Sequence, residues 1–116
     1  CIGGSKIIIC GITFKEDCPD IRNTRVIDLI NILKRYDVEV CIVDPVVNKK
    51  EALNVYGVKV LDELPTNERF AAGIIAVPHK EFRETYPEIW ENLLVKNGFF
   101  YDVKGILPRD LDVIRI

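Results

Sequence analysis

Hydrophobic residues in this chain follow two patterns, short continuous runs and longer stretches with helical spacing. The runs are typical of strands buried on both faces of a sheet, and they predict strands at 7–10, 38–43, 58–60, 73–77 and 99–101. The stretches with helical spacing predict helices at 24–36, 49–56, 79–85 and 88–94. The pair Asn97-Gly98 predicts a turn before the fifth strand, and a short edge strand is expected at 113–114.

Strands that alternate with helices predict an α/β fold with parallel strands and helices on both faces of the sheet. We expect a Rossmann-like open, mainly parallel sheet of five or six strands in an order around 3-2-1-4-5. A length of 116 residues, of which 48% are hydrophobic and 29% charged, fits a single folded domain over residues 1–116.

The net charge and the length of the apolar runs argue against two classes of partner, nucleic acids and membranes. Sixteen basic residues against eighteen acidic ones give a formal charge of −2, which argues against a nucleic-acid partner. The longest apolar runs are far shorter than the roughly 20 residues of a membrane-spanning helix, so we expect no membrane partner. The sequence contains no methionine and begins with Cys1, which predicts a piece of a longer protein.

The cysteines predict neither a metal site nor a disulfide. No pair has the C-x₂-C spacing of a zinc loop; the four lie at positions 1, 10, 18 and 41. Cys10 and Cys41 fall inside apolar runs, where cysteine acts as a small hydrophobic residue, whereas Cys18 is expected to shape a polar loop. Free thiols without a secretory signal are typical of the cytoplasm.

The first connection of the predicted sheet is the expected binding site. Ligands of an open parallel sheet bind at the carboxyl ends of the strands, beside the point where the strand order reverses. The connection at 11–23 follows the first strand there and is longer than the usual strand-to-helix turn of about 2–6 residues. It is rich in charged side chains and brings Arg22 to the start of a helix, which indicates a site for phosphate or another anion.

A dinucleotide site of the usual kind is not predicted at this connection. The fingerprint G-x-G-x-x-G lets pyrophosphate approach the backbone, but here Gly11 is followed by Thr13 and Glu16. Asp44 stands where an acid that binds ribose would stand, yet its position before Pro45 favours a turn-forming role. Binding through side chains is therefore expected.

Three segments resemble the C-terminal domain of the UDP-glucose/GDP-mannose dehydrogenase family. Residues 11–24, GITFKEDCPDIRNT, resemble the segment G-x-x-F-K…D-x-R that opens that domain. Asp44-Pro45 and Asp102-Val103-Lys104 resemble its two further segments in the same order. The version at 18–23, CPDIRN, looks most like the branch that oxidises UDP-N-acetylhexosamines.

The resemblance implies a three-part enzyme of which this chain is the C-terminal UDP-sugar-binding domain. An N-terminal NAD-binding domain and a central helical domain that builds a homo-oligomer would lie outside residues 1–116. The full enzyme would oxidise the sugar C6 alcohol to a carboxylate with NAD, through a thioester on a cysteine of an upstream segment. Neither Cys1 nor Cys18 matches that segment, so no catalytic residue, NAD site or metal site is expected here.

The resemblance also implies roles for individual residues. Four are expected to bind the UDP-sugar: Phe14, Lys15, Arg22 and Lys104. Three are expected to organise the motif: Asp20, Asn23 and Asp102. Lysine suits a point contact to a phosphate or a sugar hydroxyl, and the planar fork of arginine suits either a phosphate or a bracing carboxylate such as Asp20.

Two residues outside these segments and one alternative function complete the predictions. His79 follows Pro78 at a strand end and is interpreted as a helix-start or solvated residue, with an acid–base group as the alternative. Trp90 lies on an apolar helical face and is expected in the core. The alternative to a UDP-sugar site is a non-catalytic regulatory or interaction domain on the same scaffold, since a fold alone does not define a function.

Overall fold

The computed structural model describes residues 6–13, 15, 17–18, 20–21, 25–102 and 113–115. Six strands and four helices form within these residues, in the order β1 (Lys6–Cys10), α1 (Val26–Arg35), β2 (Glu39–Val43), α2 (Lys49–Tyr56), β3 (Val60–Leu61), β4 (Phe70–Ile75), α3 (Lys80–Arg83), α4 (Pro87–Asn92), β5 (Leu94–Asp102) and β6 (Val113–Arg115). None of these helices is long and apolar enough to cross a bilayer.

The strands form one sheet in the order β3-β2-β1-β4-β5-β6, and all neighbours are parallel. The predicted order 3-2-1-4-5 and the sixth edge strand are thereby confirmed. At the centre of the sheet, Ile8 of β1 pairs with Cys41 of β2 on one side and with Gly73 of β4 on the other. The strand order reverses at β1, so its carboxyl end is the switch point at which such sheets bind ligands.

Helices cover both faces of the sheet because both faces are hydrophobic. Ile7 and Ile9 of β1 belong to a cluster with residues of α1 and α2, whereas Ile8 and Cys10 belong to a cluster with residues of α3 and α4. Trp90 is 1% exposed and packs edge-on against Phe100 with a centroid distance of 5.5 Å, which confirms its place in the core.

Cys10 is fully buried, as expected of a cysteine in a strand of this kind. Burial, followed by the neighbouring Cys41 and Asp44, raises the pKa of the Cys10 thiol. A thiol held in its neutral form in an apolar setting is unreactive. Cys10 therefore contributes to packing alone.

The predicted turn at Asn97-Gly98 is wrong, because β5 runs through it from Leu94 to Asp102. Phe70 pairs with Leu94 and Ala72 with Phe99, so an advance of two residues on β4 corresponds to five on β5. The extra residues form a bulge. Two neighbouring strands are also shifted from their predictions: β3 is Val60–Leu61 and β4 is Phe70–Ile75.

Candidate functional site

The connections that follow β1, β2 and β4 meet at the carboxyl edge of the sheet. Gly11 has φ of +96°, and a Cβ placed on it would lie 2.6 Å from Val77 Cβ and 2.7 Å from the Val77 carbonyl oxygen. Only glycine allows the chain leaving β1 to pass so close to the chain leaving β4. A hydrogen bond from Val77 N to the Cys10 carbonyl (3.2 Å) joins the same two strand ends, and one from Gly11 N to the Val43 carbonyl (2.8 Å) joins the end of β1 to the end of β2.

This close approach does not leave a cradle for NAD. The connection between β1 and α1 contains a single glycine, Gly11, and that glycine packs against Val77. The sequence of this connection therefore lacks the further glycines through which a glycine-rich turn lets a pyrophosphate approach the backbone. The residues of this connection do not fit the dinucleotide.

Asp44 joins the connections after β1, β2 and β4 through its carboxylate. Its Oδ1 atom accepts hydrogen bonds from the backbone of Val46 (2.8 Å) and Val47 (2.9 Å), which is the predicted turn-forming role. Its Oδ2 atom lies 2.8 Å from Ile12 N and 2.9 Å from His79 Nε2. Asp44 is therefore also an anchor for two other connections, which its sequence position does not reveal.

His79 is fully buried, so the prediction of a solvated residue is wrong. It does directly precede α3, as expected of a helix-start residue, but its side chain makes no capping hydrogen bond. Its Nδ1 atom accepts a hydrogen bond from Asp17 N (2.9 Å). Its Nε2 atom lies 2.9 Å from Asp44 Oδ2 and 3.1 Å from Thr13 Oγ1. The partners that bury it come from distant parts of the chain.

The hydrogen-bond partners of His79 fix its tautomer. Because Nδ1 accepts the Asp17 N–H, the ring proton lies on Nε2 and is donated to Asp44. Thr13 Oγ1 donates its own proton to the Lys15 carbonyl at 3.0 Å. The hydroxyl oxygen of Thr13 is thus a second acceptor, at 3.1 Å, for the Nε2 proton, which His79 shares between Asp44 and Thr13.

Asp17 connects the loop after β1 to α3. It adopts φ of 59°, a left-handed conformation that aspartate tolerates better than most residues. Its carboxylate accepts hydrogen bonds from Lys80 N (2.7 Å) and from the guanidinium of Arg83 (3.0 Å). Lys80 begins α3 and Arg83 ends it, so Asp17 attaches the loop to both ends of this helix. Arg83 also donates to the Pro78 carbonyl.

Both carboxylates of this network have lowered pKa values. Burial by itself would raise the pKa of Asp44, but the hydrogen bonds from His79 and from the backbone of Ile12 and Val46 outweigh it and lower the pKa. The Lys80 N–H and then the Arg83 guanidinium lower the pKa of Asp17. Both groups are consequently charged at neutral pH.

The structure describes three of the seven predicted site residues. Lys15 is exposed on the loop after β1, Asp20 is half-buried and Asp102 is fully buried at the end of β5. The other four lie outside the described residues: Phe14, Arg22, Asn23 and Lys104.

Sequence reasoning missed three residues that hold the loop around Lys15, namely Thr13, Asp17 and Arg83. It also misjudged His79. Thr13, Asp17 and His79 share a sequence signal, because each lies in a connection that follows a predicted strand; Arg83 lies at the end of a helix and has no such signal. Their pairing over 62 to 66 residues leaves no local pattern.

Two cavities of about 440 Å³ open near the carboxyl ends of the strands. One lies beside β2 and β3, and its lining includes the carboxylates of Asp62, Glu63 and Glu81, which would repel a phosphate. The other lies between α1, β4 and β5, and its described lining is mostly apolar, with one guanidinium and one phenol hydroxyl: Arg25, Val26, Leu29, Ile74, Ala76 and Tyr101. Among the described residues, this second lining contains no carboxylate.

Comparison with known proteins identifies the family. Residues 8–109 match the UDP-glucose/GDP-mannose dehydrogenase family, UDP binding domain. The chain is 33% identical over 115 residues to a UDP-N-acetyl-D-glucosamine 6-dehydrogenase of Pseudomonas aeruginosa, and 36% identical over 115 residues to one of Salmonella typhi. Each alignment covers 99% of this chain and 27% of the relative, so the chain spans about a quarter of the length of these relatives.

A solved structure shares the fold. A crystal structure of an NDP-N-acetyl-D-galactosaminuronic acid dehydrogenase from Methanosarcina mazei Go1 superposes with a TM-score of 0.81 at 21% identity, covering 99% of this chain and 24% of that one. With the match over residues 8–109, the chain belongs to the UDP-glucose/GDP-mannose dehydrogenase family and is its UDP-binding domain.

Proposed function

We propose that this chain is the C-terminal domain of an NAD-dependent UDP-N-acetylhexosamine 6-dehydrogenase, or of a UDP-glucose 6-dehydrogenase, and that it holds the UDP part of the substrate. The match to the UDP-binding domain over residues 8–109 carries the proposal. Two relatives of at least 33% identity are UDP-N-acetyl-D-glucosamine 6-dehydrogenases, which favours an acetylated amino sugar.

We propose a division of labour within the whole protein. Because the β1–α1 connection does not fit NAD, we assign NAD binding and the oxidation of the C6 alcohol to regions outside residues 1–116. The whole protein is proposed to act in the cytoplasm as a homo-oligomer, in the supply of uronic acid units for polysaccharide synthesis. In this scheme the present domain determines where the sugar nucleotide is held, and other regions carry out the redox steps.

The nucleotide is proposed to bind along the carboxyl edge between β1 and β5. Lys15, Arg22 and Lys104 supply positive charge for the diphosphate, and Phe14 packs beside the ligand. We propose the cavity lined by Arg25 and Tyr101 as the site of the base or ribose. Its mostly apolar lining and its volume of about 440 Å³ support this proposal. These two lining residues also adjoin the family segments in sequence, since Arg25 follows 11–24 and Tyr101 precedes 102–104.

Substitution of Lys15 tests this proposal in the full-length protein. A charge-assisted hydrogen bond contributes about 1.5–3 kcal/mol, so Lys15→Ala should raise the Kd for UDP by about 10-fold or more. Isothermal titration calorimetry measures this Kd, and turnover of UDP-N-acetylhexosamines with NAD measures KM.

Lys34→Ala is the matched control for this experiment. Lys34 is an exposed lysine in the last turn of α1, the end of that helix nearest the amino edge of the sheet. Its substitution should leave the Kd unchanged. A wild-type protein that does not bind UDP would contradict the proposed function, and unchanged binding and kinetics in Lys15→Ala would favour the non-catalytic alternative.

A further inference from the structure

His79 contacts the loop after β1 on both sides of Lys15. On one side, its Nδ1 atom accepts the Asp17 N–H at 2.9 Å. On the other, its Nε2 atom lies 3.1 Å from Thr13 Oγ1, which in turn donates to the Lys15 carbonyl at 3.0 Å. Lys15 is exposed, whereas Thr13 is 1% exposed and His79 is fully buried. The buried imidazole thus holds the backbone that presents the exposed ammonium group.

We propose that His79 is a positioning residue for the UDP-sugar site, which holds Thr13 and Asp17 on either side of Lys15 so that Lys15 is presented to the diphosphate. The inference rests on the proposed function, since it assumes that Lys15 binds the nucleotide. His79 has no exposed surface, so it acts on a ligand through the loop and not by contact.

A histidine is suited to this task because its two ring nitrogens do opposite things. Nδ1 must accept, since its partner is the Asp17 N–H, while Nε2 must donate, since its partner is the Asp44 carboxylate. Asp44 is itself fixed by the backbone of Ile12, Val46 and Val47. The imidazole therefore has one orientation. It is fixed by Asp44 at the end of the sheet, and it in turn fixes the backbone of Asp17 in the loop.

The loop needs such support where it passes Asp17. This residue has φ of 59°, a conformation that persists only when its surroundings hold it in place. The ring of His79 holds the Asp17 backbone, while Lys80 N and Arg83 hold its carboxylate. Loss of the contact to Nδ1 would release the loop at its backbone and leave the side-chain contacts intact.

Two substitutions of His79 separate the contact of Nδ1 from the contacts of Nε2. In His79→Asn, the amide oxygen takes the place of Nδ1 and can accept the Asp17 N–H, but the donor to Asp44 and Thr13 is lost. In His79→Gln, the amide nitrogen takes the place of Nε2 and can donate to Asp44 and Thr13, but the acceptor for Asp17 is lost. The first variant spares the backbone contact to Asp17, with Thr13 still donating to the Lys15 carbonyl, and the second spares the contacts of Nε2.

The full-length protein is the material for the test, with UDP as the ligand. We expect His79→Gln to raise the Kd for UDP, and the KM for the UDP-sugar, by about 3- to 10-fold with kcat within about twofold, as for one lost hydrogen bond. We expect His79→Asn to leave Kd within about twofold of the wild type while its Tm falls. Equal Kd values in the two variants, whether raised or unchanged, would overturn the proposal.

A double substitution distinguishes positioning of Lys15 from a general effect on folding. If His79 acts through Lys15, adding His79→Gln to Lys15→Ala produces no further rise in Kd. Effects that multiply would overturn the proposal even though both residues affect binding. Thr13→Val, which removes the hydroxyl at nearly constant volume, should raise Kd by about 2- to 5-fold and likewise have no effect in the Lys15→Ala background.

This inference and the proposed function fail in different ways. A wild-type protein that does not bind UDP contradicts the function itself. A wild type that binds UDP and depends on Lys15, together with a His79→Gln variant that binds equally well, contradicts the positioning role of His79 and leaves the function standing.

Discussion

Asp44 is a buried carboxylate whose charge is stabilised by three backbone amides and His79. Its pKa is lowered by these hydrogen bonds in spite of its burial. A group whose pKa is lower in the folded state stabilises the fold fully above its unfolded pKa, about 3.9 for aspartate. This stabilisation is lost as the pH falls through the folded value.

We therefore expect the free energy of unfolding to fall as the pH drops below about 4. Asp44→Asn should be less stable than the wild type at pH 7 by about 1–3 kcal/mol, because its NH₂ group faces backbone donors. It should also lose less stability than the wild type on acidification. Urea unfolding at a series of pH values measures both effects, and identical pH profiles for the two proteins would contradict the role given to Asp44.

The two roles of Asp44 differ in how far the sequence could predict them. Its turn-forming contacts reach Val46 and Val47, two and three residues away, and an Asp-Pro pair after an apolar run indicates such a turn. Its contact with His79 spans 35 residues. That contact depends on the strand order, so no local pattern contains it. For the same reason the sequence predicts the position of His79 at a helix start but not its burial.

At the scale of elements, two strands were predictable from a run of hydrophobic residues with a clear stop after it, whereas β4, equally central, begins three residues before its prediction. β1 and β2 match their predictions to within one residue at each end. β5 does not, because Asn97-Gly98 favours a turn by its own conformational preferences. The register of β5 on β4 shifts between Leu94 and Phe99, the stretch that contains this pair, and the strand continues through it.

The junction of β1 and β4 gives a prediction at this scale, and it concerns Gly11. A methyl group there would lie 2.6 Å from Val77 Cβ, at a φ of +96°. Gly57, which ends α2, has φ of +68° but nothing within 4 Å of its Cβ position, so Gly57→Ala carries only the conformational cost of about 1–2 kcal/mol. Gly11→Ala should cost about 1–3 kcal/mol beyond that.

Urea unfolding of the two alanine variants measures the difference. Since both glycines have positive φ, the contrast isolates the close approach of the two strand ends. If both variants lose the same stability, the contact with Val77 is not the reason for the glycine at position 11.

At the scale of the whole molecule, the fold class and strand order followed from the alternation of strands and helices. The family followed from three segments spread along the chain, whose spacing matched the carboxyl ends of β1, β2 and β5. The sequence does not predict which residues lie between the carboxyl ends of these strands. The apolar cavity beside Tyr101 arises from the packing of α1 against β4 and β5, and such packing is a property of the assembled sheet.

The hydrophobic cluster between the sheet and the helices α3 and α4 gives a prediction about the free energy of unfolding. Trp90 is 1% exposed and contacts both Phe82 and Phe100, so Trp90→Ala should lower the free energy of unfolding by about 3–5 kcal/mol. Tyr86 precedes the same helix and is 72% exposed. Tyr86→Ala should change stability by no more than about 0.5 kcal/mol, and similar losses in the two variants by urea unfolding would contradict the assignment of Trp90 to the core.

The hydrogen bonds of Asp44 and His79 also decide how rigid the binding loop is. The amide protons of Ile12 and Asp17 lie outside any helix or strand, yet each is donated to a side chain with no exposed surface. Such protons exchange with solvent only when the buried acceptor is released, so we expect these two positions to open together with the core of the sheet. In the proposed site, these two backbone positions are therefore held before the nucleotide binds, and little conformational entropy is lost at them on binding.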